Sequence, residues 1–356
     1  MILTQQQKKR LYENNMTKTF LIYNNKGGVG KTTLTFTLAS EFAYNHPDYD
    51  VLLVDLDPQC DLSQMVLGGN GRGWNNLEKI RKNDILDRNT ICGYFETRTG
   101  SMYNKTNKES DYVIHCETYN SNMPNNVYLL CGDEDLSTSM EQIDNFAQAS
   151  EKTGRNSWSS VHKWLHDLIY GVCEKKLRKD VAVFIDAEPA FSMYTKMGIF
   201  AANHIIVPCV ADYGSARGIR SIFNYLYTRS SNNLFTDRVE KYKMKTPSKS
   251  DISIIFNRYT PYKQTPSLTF ASMHKLINDT FAQTFKTSIE DAPKIPDYHK
   301  IALLSSYHGK PLHKFNEAFE EVYDPEEDKS VQIDKNQIIK YRESINQLCQ
   351  HILSKI

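Results

Sequence analysis

Short apolar runs recur along the chain, most of them closed by a polar or acidic residue. They are Thr19–Tyr23 (TFLIY), Val51–Val54, Val127–Leu130, Val181–Ile185 (VAVFI), His204–Pro208 (HIIVP) and Ile252–Phe256 (ISIIF). These runs are continuous rather than alternating, as expected of strands buried on both faces. Between them apolar residues return at helical spacing, as in Leu34, Leu38 and Phe42. Strands alternating with helices predict an α/β fold, a doubly wound, mainly parallel β-sheet flanked by helices. Residues 137–178 read as mostly helical, with a polar break at Thr153-Gly154. Residues 68–126, rich in Asn, Gly, Ser and Thr, show no clear period and are expected to be an irregular insertion. Ile338, Tyr341, Ile345, Leu348, Cys349, Ile352 and Ile356 predict a C-terminal packing helix over about 335–356. The expected organisation is a polar arm over 1–17 and a single domain over 18–356.

Composition changes this picture little. The chain has 356 residues, 40% hydrophobic and 24% charged, with a net charge of +1. That is ordinary for a globular protein, and the overall charge selects no partner. The seven cysteines include no Cys-x-x-Cys pair and no zinc-finger spacing, so buried thiols in a reducing compartment are expected. No apolar run is long enough to span a membrane. Met1–Met16 lacks an apolar leader core, so no signal peptide is expected.

The chemistry concentrates in Lys26-Gly27-Gly28-Val29-Gly30-Lys31-Thr32-Thr33, between the first predicted strand and helix. Gly30-Lys31-Thr32 fits the end of the phosphate-loop pattern G-x-x-x-x-G-K-[ST], with Asn25 where the first glycine normally stands. Three glycines let successive backbone N–H groups curl toward one anion. The helix starting near Lys31 adds the positive end of its dipole. Lys31 can reach β- and γ-phosphates, and the Thr32 hydroxyl suits Mg2+, which prefers hard oxygen ligands. ATP and Mg2+ are the expected cofactors.

KGGVGKTT resembles the loop of the deviant Walker A ATPases, the ParA/MinD family, most of all its ParA/Soj-type partition members. The likeness continues through VLLVDLDPQCDLS (51–63), VYLLCGDEDLSTSME (127–141), VFIDAEP (183–189), AANHIIVP (201–208) and IPDYHKIALLSSYHGKP (295–311). It covers roughly residues 18–320. The resemblance implies that Lys26 crosses a dimer interface to the partner's nucleotide while Lys31 holds phosphate in its own subunit. It further implies that Thr32 ligates Mg2+, that Asp186 holds the metal through water, and that Asp55 supports the metal shell. Asp57 would position the attacking water. An Asn after the 252–256 strand meets the base in related switches. Asn257 is therefore an adenine candidate, or simply a strand-end turn residue, and Pro296 is a second candidate for packing on the base.

The sequence departs from the family after Asp186, where Ala187-Glu188-Pro189 replaces the usual Thr-Pro-Pro. Glu188 either adds negative charge near the γ-phosphate or points away. Residues 217–249 hold eight basic residues, Arg217, Arg220, Arg229, Arg238, Lys241, Lys243, Lys245 and Lys249, against two acids. On a ParA-like dimer that patch suggests non-specific, salt-dependent DNA binding; otherwise it is a solvated basic face. The C-terminal helix has a mostly neutral polar face after an acidic stretch, so no membrane anchor is expected.

The resemblance thus implies an ATPase that dimerises on Mg-ATP and binds DNA as the dimer. Slow, partner-stimulated hydrolysis, with a ParB-like protein as the partner, would reset it for DNA segregation or cargo positioning, in the cytoplasm on the nucleoid. The alternative is a ParA-like switch that regulates an effector in a regulatory or defence complex. An iron-cluster electron carrier is disfavoured by the cysteine placement.

Overall fold

The computed structural model describes residues 17–82, 88–101, 103, 106–149, 156–230, 233–259, 261–262, 265–266, 268–285, 292–315, 321–326 and 328–354. The expected arm (apart from Thr17), the Thr153-Gly154 break and Ile356 lie outside them. In chain order come β1 (Thr17–Ile22), α1 (Lys31–Asn45), β2 (Tyr49–Asp55), α2 (Asp61–Val66), α3 (Arg72–Arg81) and α4 (Ile91–Thr99). There follow β3 (Val113–His115), β4 (Val127–Leu130), α5 (Leu136–Gln148), α6 (Ser157–His162), α7 (Trp164–Lys175) and β5 (Asp180–Asp186). Next are α8 (Met193–Ala201), β6 (His204–Cys209), α9 (Tyr213–Tyr227), α10 (Leu234–Lys241), β7 (Ile252–Tyr259), β8 (Pro261–Tyr262) and β9 (Thr265–Pro266). The chain ends through α11 (Leu268–Phe285), β10 (Lys294–Pro296), α12 (His299–His308), β11 (Glu321–Asp324), β12 (Lys329–Gln332) and α13 (Lys335–Leu353).

Eight strands form one sheet in the order β10-β7-β6-β1-β5-β2-β4-β3. All neighbours run parallel except β3, which pairs antiparallel with β4 at the edge. The continuous apolar runs explain why both faces are covered. Val181, Val183 and Ile185 of β5 join one core with α4 to α11, while Ala182 and Phe184 join the other with α1, α2, α3, α12 and α13.

Residues 68–126 are more regular than the sequence suggests. They carry α3, α4, two short 3-10 turns and the edge strand β3. The helices were illegible because they are short: α3 (RGWNNLEKIR) is polar and buries only Gly73, Leu77 and Ile80, and α4 (ICGYFETRT) packs its apolar residues into one run, Ile91–Phe95, that shows no helical period. The segment is pinned to the late loop by a backbone crossing of Gly69 and Gly309. A Cβ on Gly69 would lie 2.1 Å from the Tyr307 carbonyl oxygen, and one on Gly309 would lie 2.6 Å from Gly69 N.

The C-terminal helix α13 buries Ile338, Tyr341, Ile345, Leu348, Cys349 and Ile352 in the core that holds α1. A buried charge locks this contact. Glu41 of α1 accepts from His313 N (2.8 Å) and Nδ1 (2.9 Å) and from Arg342 Nε (3.0 Å). Burial opposes the Glu41 charge, but His313 and Arg342 outweigh it and hold the carboxyl below its usual range. Because the folded value is depressed, this contribution is present above the unfolded value near 4.5 and is lost as pH falls below it. Glu41→Ala is expected to lower unfolding stability by about 3 kcal/mol at pH 7. Urea denaturation should show a smaller difference from the parent at pH 3.

Candidate functional site

The site is built at the C-terminal edge of the sheet, where β1 sits between β6 and β5. Leaving β1, the buried Asn24 folds the chain over: its Nδ2 donates to the Pro208 carbonyl (2.8 Å), and its Oδ1 accepts from Lys26 N (3.0 Å). Gly28 and Gly30 take φ of 73° and 83°, a left-handed backbone that side chains resist. Gly30 also has no room for a side chain, because a Cβ would lie 2.6 Å from Asn257 Nδ2. Around Gly27 and Gly28 the space is open, and both are exposed. Gly30 is the N-cap of α1 and no side chain caps that helix, so its first N–H groups have an anion-binding orientation.

Within this bend Lys31 is only 8% exposed, and its Nζ donates to the Lys26 carbonyl at 3.3 Å. Burial pushes the Lys31 ammonium down from its usual range, while Asp186 and Asp57 pull it back up. Thr32 and Thr33 are half-buried beside it and Val29 is fully buried.

Strand register delivers the acids. Ile22 of β1 and Asp55 of β2 both lie level with Asp186 of β5. Asp55 is buried and already engaged: its Oδ2 accepts from Ser63 N (2.8 Å) and Oγ (2.7 Å), and its Oδ1 from Asp57 N (3.2 Å). Burial raises it to about 7, against the Ser63 hydrogen bonds. It therefore braces the 55–63 turn. Asp57 is half-buried on that turn, and its Oδ1 accepts from Gln59 N (2.9 Å).

Asp186 is buried. The Thr35 hydroxyl lies 3.2 Å from its Oδ1, and its Oδ2 has no hydrogen-bond partner. Burial, then the Asp55 charge, pushes the Asp186 carboxyl up to about 8, with Thr32 and Lys31 opposing. A buried, unpartnered carboxylate oxygen near a threonine hydroxyl fits Mg2+. No cage of three or more acidic, His or Cys side chains closes among the described residues. Mg2+ needs none, since it keeps waters and leans on substrate phosphates.

The other sequence candidates distribute as follows. The Lys26 ammonium pairs with Asp212 Oδ2 at the start of α9 rather than sharing the Lys31 pocket. Asn257 lies inside β7, which continues to Tyr259, and is not a turn residue after the strand. Its Nδ2 donates to the Val29 carbonyl (2.9 Å), tying β7 to the loop. Pro296 is half-buried in β10 beside Tyr259. Glu188 is half-buried, and its Oε1 is enclosed without a partner. Burial raises its carboxyl against a hydrogen bond with Ser192, and the Asp57 charge adds to the rise.

Among the basic residues, Arg217, Arg220, Lys241, Lys243, Lys245 and Lys249 are exposed. Arg229 pairs with Glu240 (2.7 Å), and Arg238 is half-buried. Sequence reasoning missed Asp212, Asn24 and Ser63. Asp212 before a helical run carries an N-cap signal, but its partner lies 186 residues away.

The sequence model of an AAA domain family (AAA_31) matches residues 17–235, more than half of the chain. The chain belongs to this family. It is a P-loop ATPase of the ParA/MinD group. An uncharacterized protein of Methanocaldococcus jannaschii is 26% identical over 257 residues, 72% of this ATPase and 78% of the relative. An uncharacterized Mycobacterium tuberculosis protein is 28% identical over 246 residues, 68% of this chain but only 59% of that one. Among solved structures, apo McdA of Cyanothece matches with a TM-score of 0.58 at 18% identity, covering 93% of this chain and 98% of that chain. A putative plasmid partition protein of Borrelia burgdorferi B31 matches with a TM-score of 0.55 at 18% identity, covering 96% and 100%. These structural likenesses confirm the fold.

The raised Asp186 carboxyl has a measurable consequence for this ATPase. Between the usual carboxylate range and about 8 the folded chain keeps a proton that the unfolded chain releases. The residue therefore costs stability increasingly as pH rises through that window. Asp186→Asn removes the titration. Without nucleotide it should melt with the parent near pH 4 and about 2–4 °C or more above it at pH 8.

Proposed function

We propose that the protein is an ATPase that pairs two subunits on binding Mg-ATP, binds DNA non-specifically as the dimer and separates on hydrolysis. One observation carries this reading: the two loop lysines face different places. Lys31 is buried toward Asp186 and Asp57, whereas Lys26 leaves the bend and pairs at the half-exposed rim with Asp212. A lysine at the rim can serve a second subunit's phosphate, as the family resemblance implies. The relatives are consistent with the ligand. McdA has been solved as an ATP complex, the Borrelia protein bound to AMPPNP, and a cobyrinic acid a,c-diamide synthase from Mycobacterium smegmatis with ADP and magnesium.

On this reading the amides from Gly27 to Thr33 and the Lys31 ammonium hold the β- and γ-phosphates. Thr32 and, through water, Asp186 hold Mg2+, which supplies charge neutralisation on the phosphates. Asp57, on the turn braced by Asp55, orients the attacking water. Lys26 of the second subunit adds positive charge where the γ-phosphate develops negative charge, a positioning role more than a covalent one. Asn257, already hydrogen-bonded to the loop, and Pro296 lie on the β7/β10 side, where the base would rest.

The DNA face would use the exposed Arg217, Arg220, Lys241, Lys243 and Lys245, with Arg229 and Arg238 at its margin. Phosphate contacts of this type are lost steeply with salt. A ParB-like stimulator and a nucleoid location follow from the same reading. No helix among the described residues is long and apolar enough to cross a membrane. The 68–126 segment and Ala187-Glu188 in place of Thr-Pro motivate a second reading, in which the same switch gates an effector instead of moving DNA.

Asp57→Ala is expected to cut hydrolysis by about 100-fold or more and to trap an ATP-bound dimer on size exclusion. Adding Lys26→Ala should return it to monomer. A monomer with ATP in every variant would contradict the dimer. Reversing Lys241, Lys243 and Lys245 to Glu should abolish ATP-dependent gel shifts of random DNA at low salt. An ATP-dependent dimer that shifts no DNA would favour the second reading.

A further inference from the structure

A cavity of about 180 Å3 opens among α5, α6, α8 and α10, on the face of the sheet that carries α4 to α11. Its floor is aromatic. Trp158 and Phe235 are 3% and 7% exposed, and their ring centres stand 6.3 Å apart, edge to face. Leu234, 61% exposed, stands at the mouth. Charge enters from two helices. Lys196 of α8 and Arg238 of α10 line the cavity against one acid, Asp144 of α5, so the lining carries one net positive charge. The Asp144 carboxylate is engaged beside it, its Oδ2 accepting from Gln148 Nε2 (2.7 Å).

Lys196 is the group that asks for a ligand. Its ammonium stands 5.6 Å from the centre of the Phe191 ring and has neither a hydrogen bond nor an ion pair among the described residues. Burial pushes it down from its usual range; Asp144 pulls it back up, and the Arg238 charge pushes it down further. A half-buried ammonium with three N–H donors and no acceptor is costly, and an anion in the cavity would answer both the donors and the repulsion. The cavity is separate from the nucleotide site, since none of Lys26, Lys31, Asp57 and Asp186 lines it. Two residues beyond Lys196, on the far side of α8, a Cβ on Gly198 would lie 3.1 Å from Leu21 Cδ1 and 3.4 Å from Leu56 Cδ1. The helix thus rests on β1 and the start of the 55–63 turn with one side and faces the cavity with the other.

We propose that this cavity is a second ligand site, which takes a small monocarboxylate with a flat apolar body. Size, shape and charge each narrow the ligand. A cavity of roughly 150 Å3 holds one benzene ring, so one ring and its carboxylate fill this one. The aromatic floor favours a flat apolar body over a hydrated ion. One net positive charge matches a single carboxylate, whose hydrogen bonds to an ammonium and a guanidinium are charge-assisted and directional. Inorganic phosphate brings more charge and no apolar surface. The proposal stands apart from the dimer and DNA readings and does not depend on either.

Phenylacetate is the probe, titrated into the full chain saturated with Mg-ADP so that the phosphate loop is filled. Binding is read from the tryptophan indole signals in proton–nitrogen NMR, the Trp158 signal being assigned by its loss in Trp158→Phe. Phenylacetamide supplies the body without the charge, acetate the charge without the body, and inorganic phosphate a different anion. Lys196→Met keeps the length of the stem and removes the ammonium, and Lys196→Arg restores a cation. Leu234→Glu adds a negative charge at the exposed mouth and leaves the buried floor untouched.

Phenylacetate is expected to shift the Trp158 signal saturably, with phenylacetamide, acetate and phosphate each about 10-fold or more weaker. Lys196→Met should weaken phenylacetate by about 10-fold or more, the loss of one charged hydrogen-bond donor. Lys196→Arg should stay within a few-fold of the parent, and Leu234→Glu should weaken binding as well. A Trp158 signal that never saturates would overturn the site. Phenylacetamide binding as tightly as phenylacetate would overturn the anion, and phosphate doing so would overturn the apolar body. Parent-like binding in both Lys196→Met and Leu234→Glu would put the ligand elsewhere and overturn the assignment to this cavity.

Discussion

Parallel register forces three carboxyl groups and one ammonium together at the edge of the sheet. Asp55 and Asp186 stand level on neighbouring strands, Asp57 follows two residues after Asp55, and Lys31 opens the helix after the adjoining strand. Buried charges of one sign raise each other's cost, and the low-dielectric edge magnifies it. Asp55 is relieved by Ser63. Asp186 keeps one oxygen without a partner, and burial pushes the Lys31 ammonium down. A metal bound to a polyphosphate would relieve both, the cation facing Asp186 and the anion facing Lys31 and the loop amides. The residues around the bend make sense as supports for that exchange.

The surroundings keep these groups in place from several directions. Asn24 ties the loop to β6, Asn257 ties it to β7, and Asp212 ties Lys26 to α9. The Ser63–Asp55 bonds hold the turn that carries Asp57, and Gly132 packs against the same carboxylate, its N donating to Ser63 Oγ at 2.9 Å. Every element lining the site is therefore anchored through the loop or the acids. A change in what occupies the loop can reach α9 and its exposed arginines without passing through the core.

Much of this was legible in the sequence, for identifiable reasons. Strands buried on both faces leave continuous apolar runs, so β1, β2, β4, β5, β6 and β7 could be read directly, with ends that differ by at most three residues. The phosphate loop is local, and its spacing is its chemistry. What stayed hidden is non-local or weakly patterned. Helix α3 presents little apolar face, α4 gathers its apolar residues in one short run without helical spacing, and β3 is three residues long. The partners of Asn24, Asn257 and Asp212 lie 184 to 228 residues distant, beyond what spacing reports. Glu188 could be seen as a departure from the family, but only the fold shows that its Oε1 is enclosed without a partner.

The most direct test is equilibrium binding of nucleotides by calorimetry with Mg2+, comparing ATP, ADP and AMP on the parent and on Lys31→Ala. The account predicts that affinity rises with phosphate number on the parent. It also predicts that Lys31→Ala loses about 100-fold or more for ATP while binding AMP as the parent does. Equal affinity of parent and variant for ATP, or no preference for ATP over AMP, would contradict it.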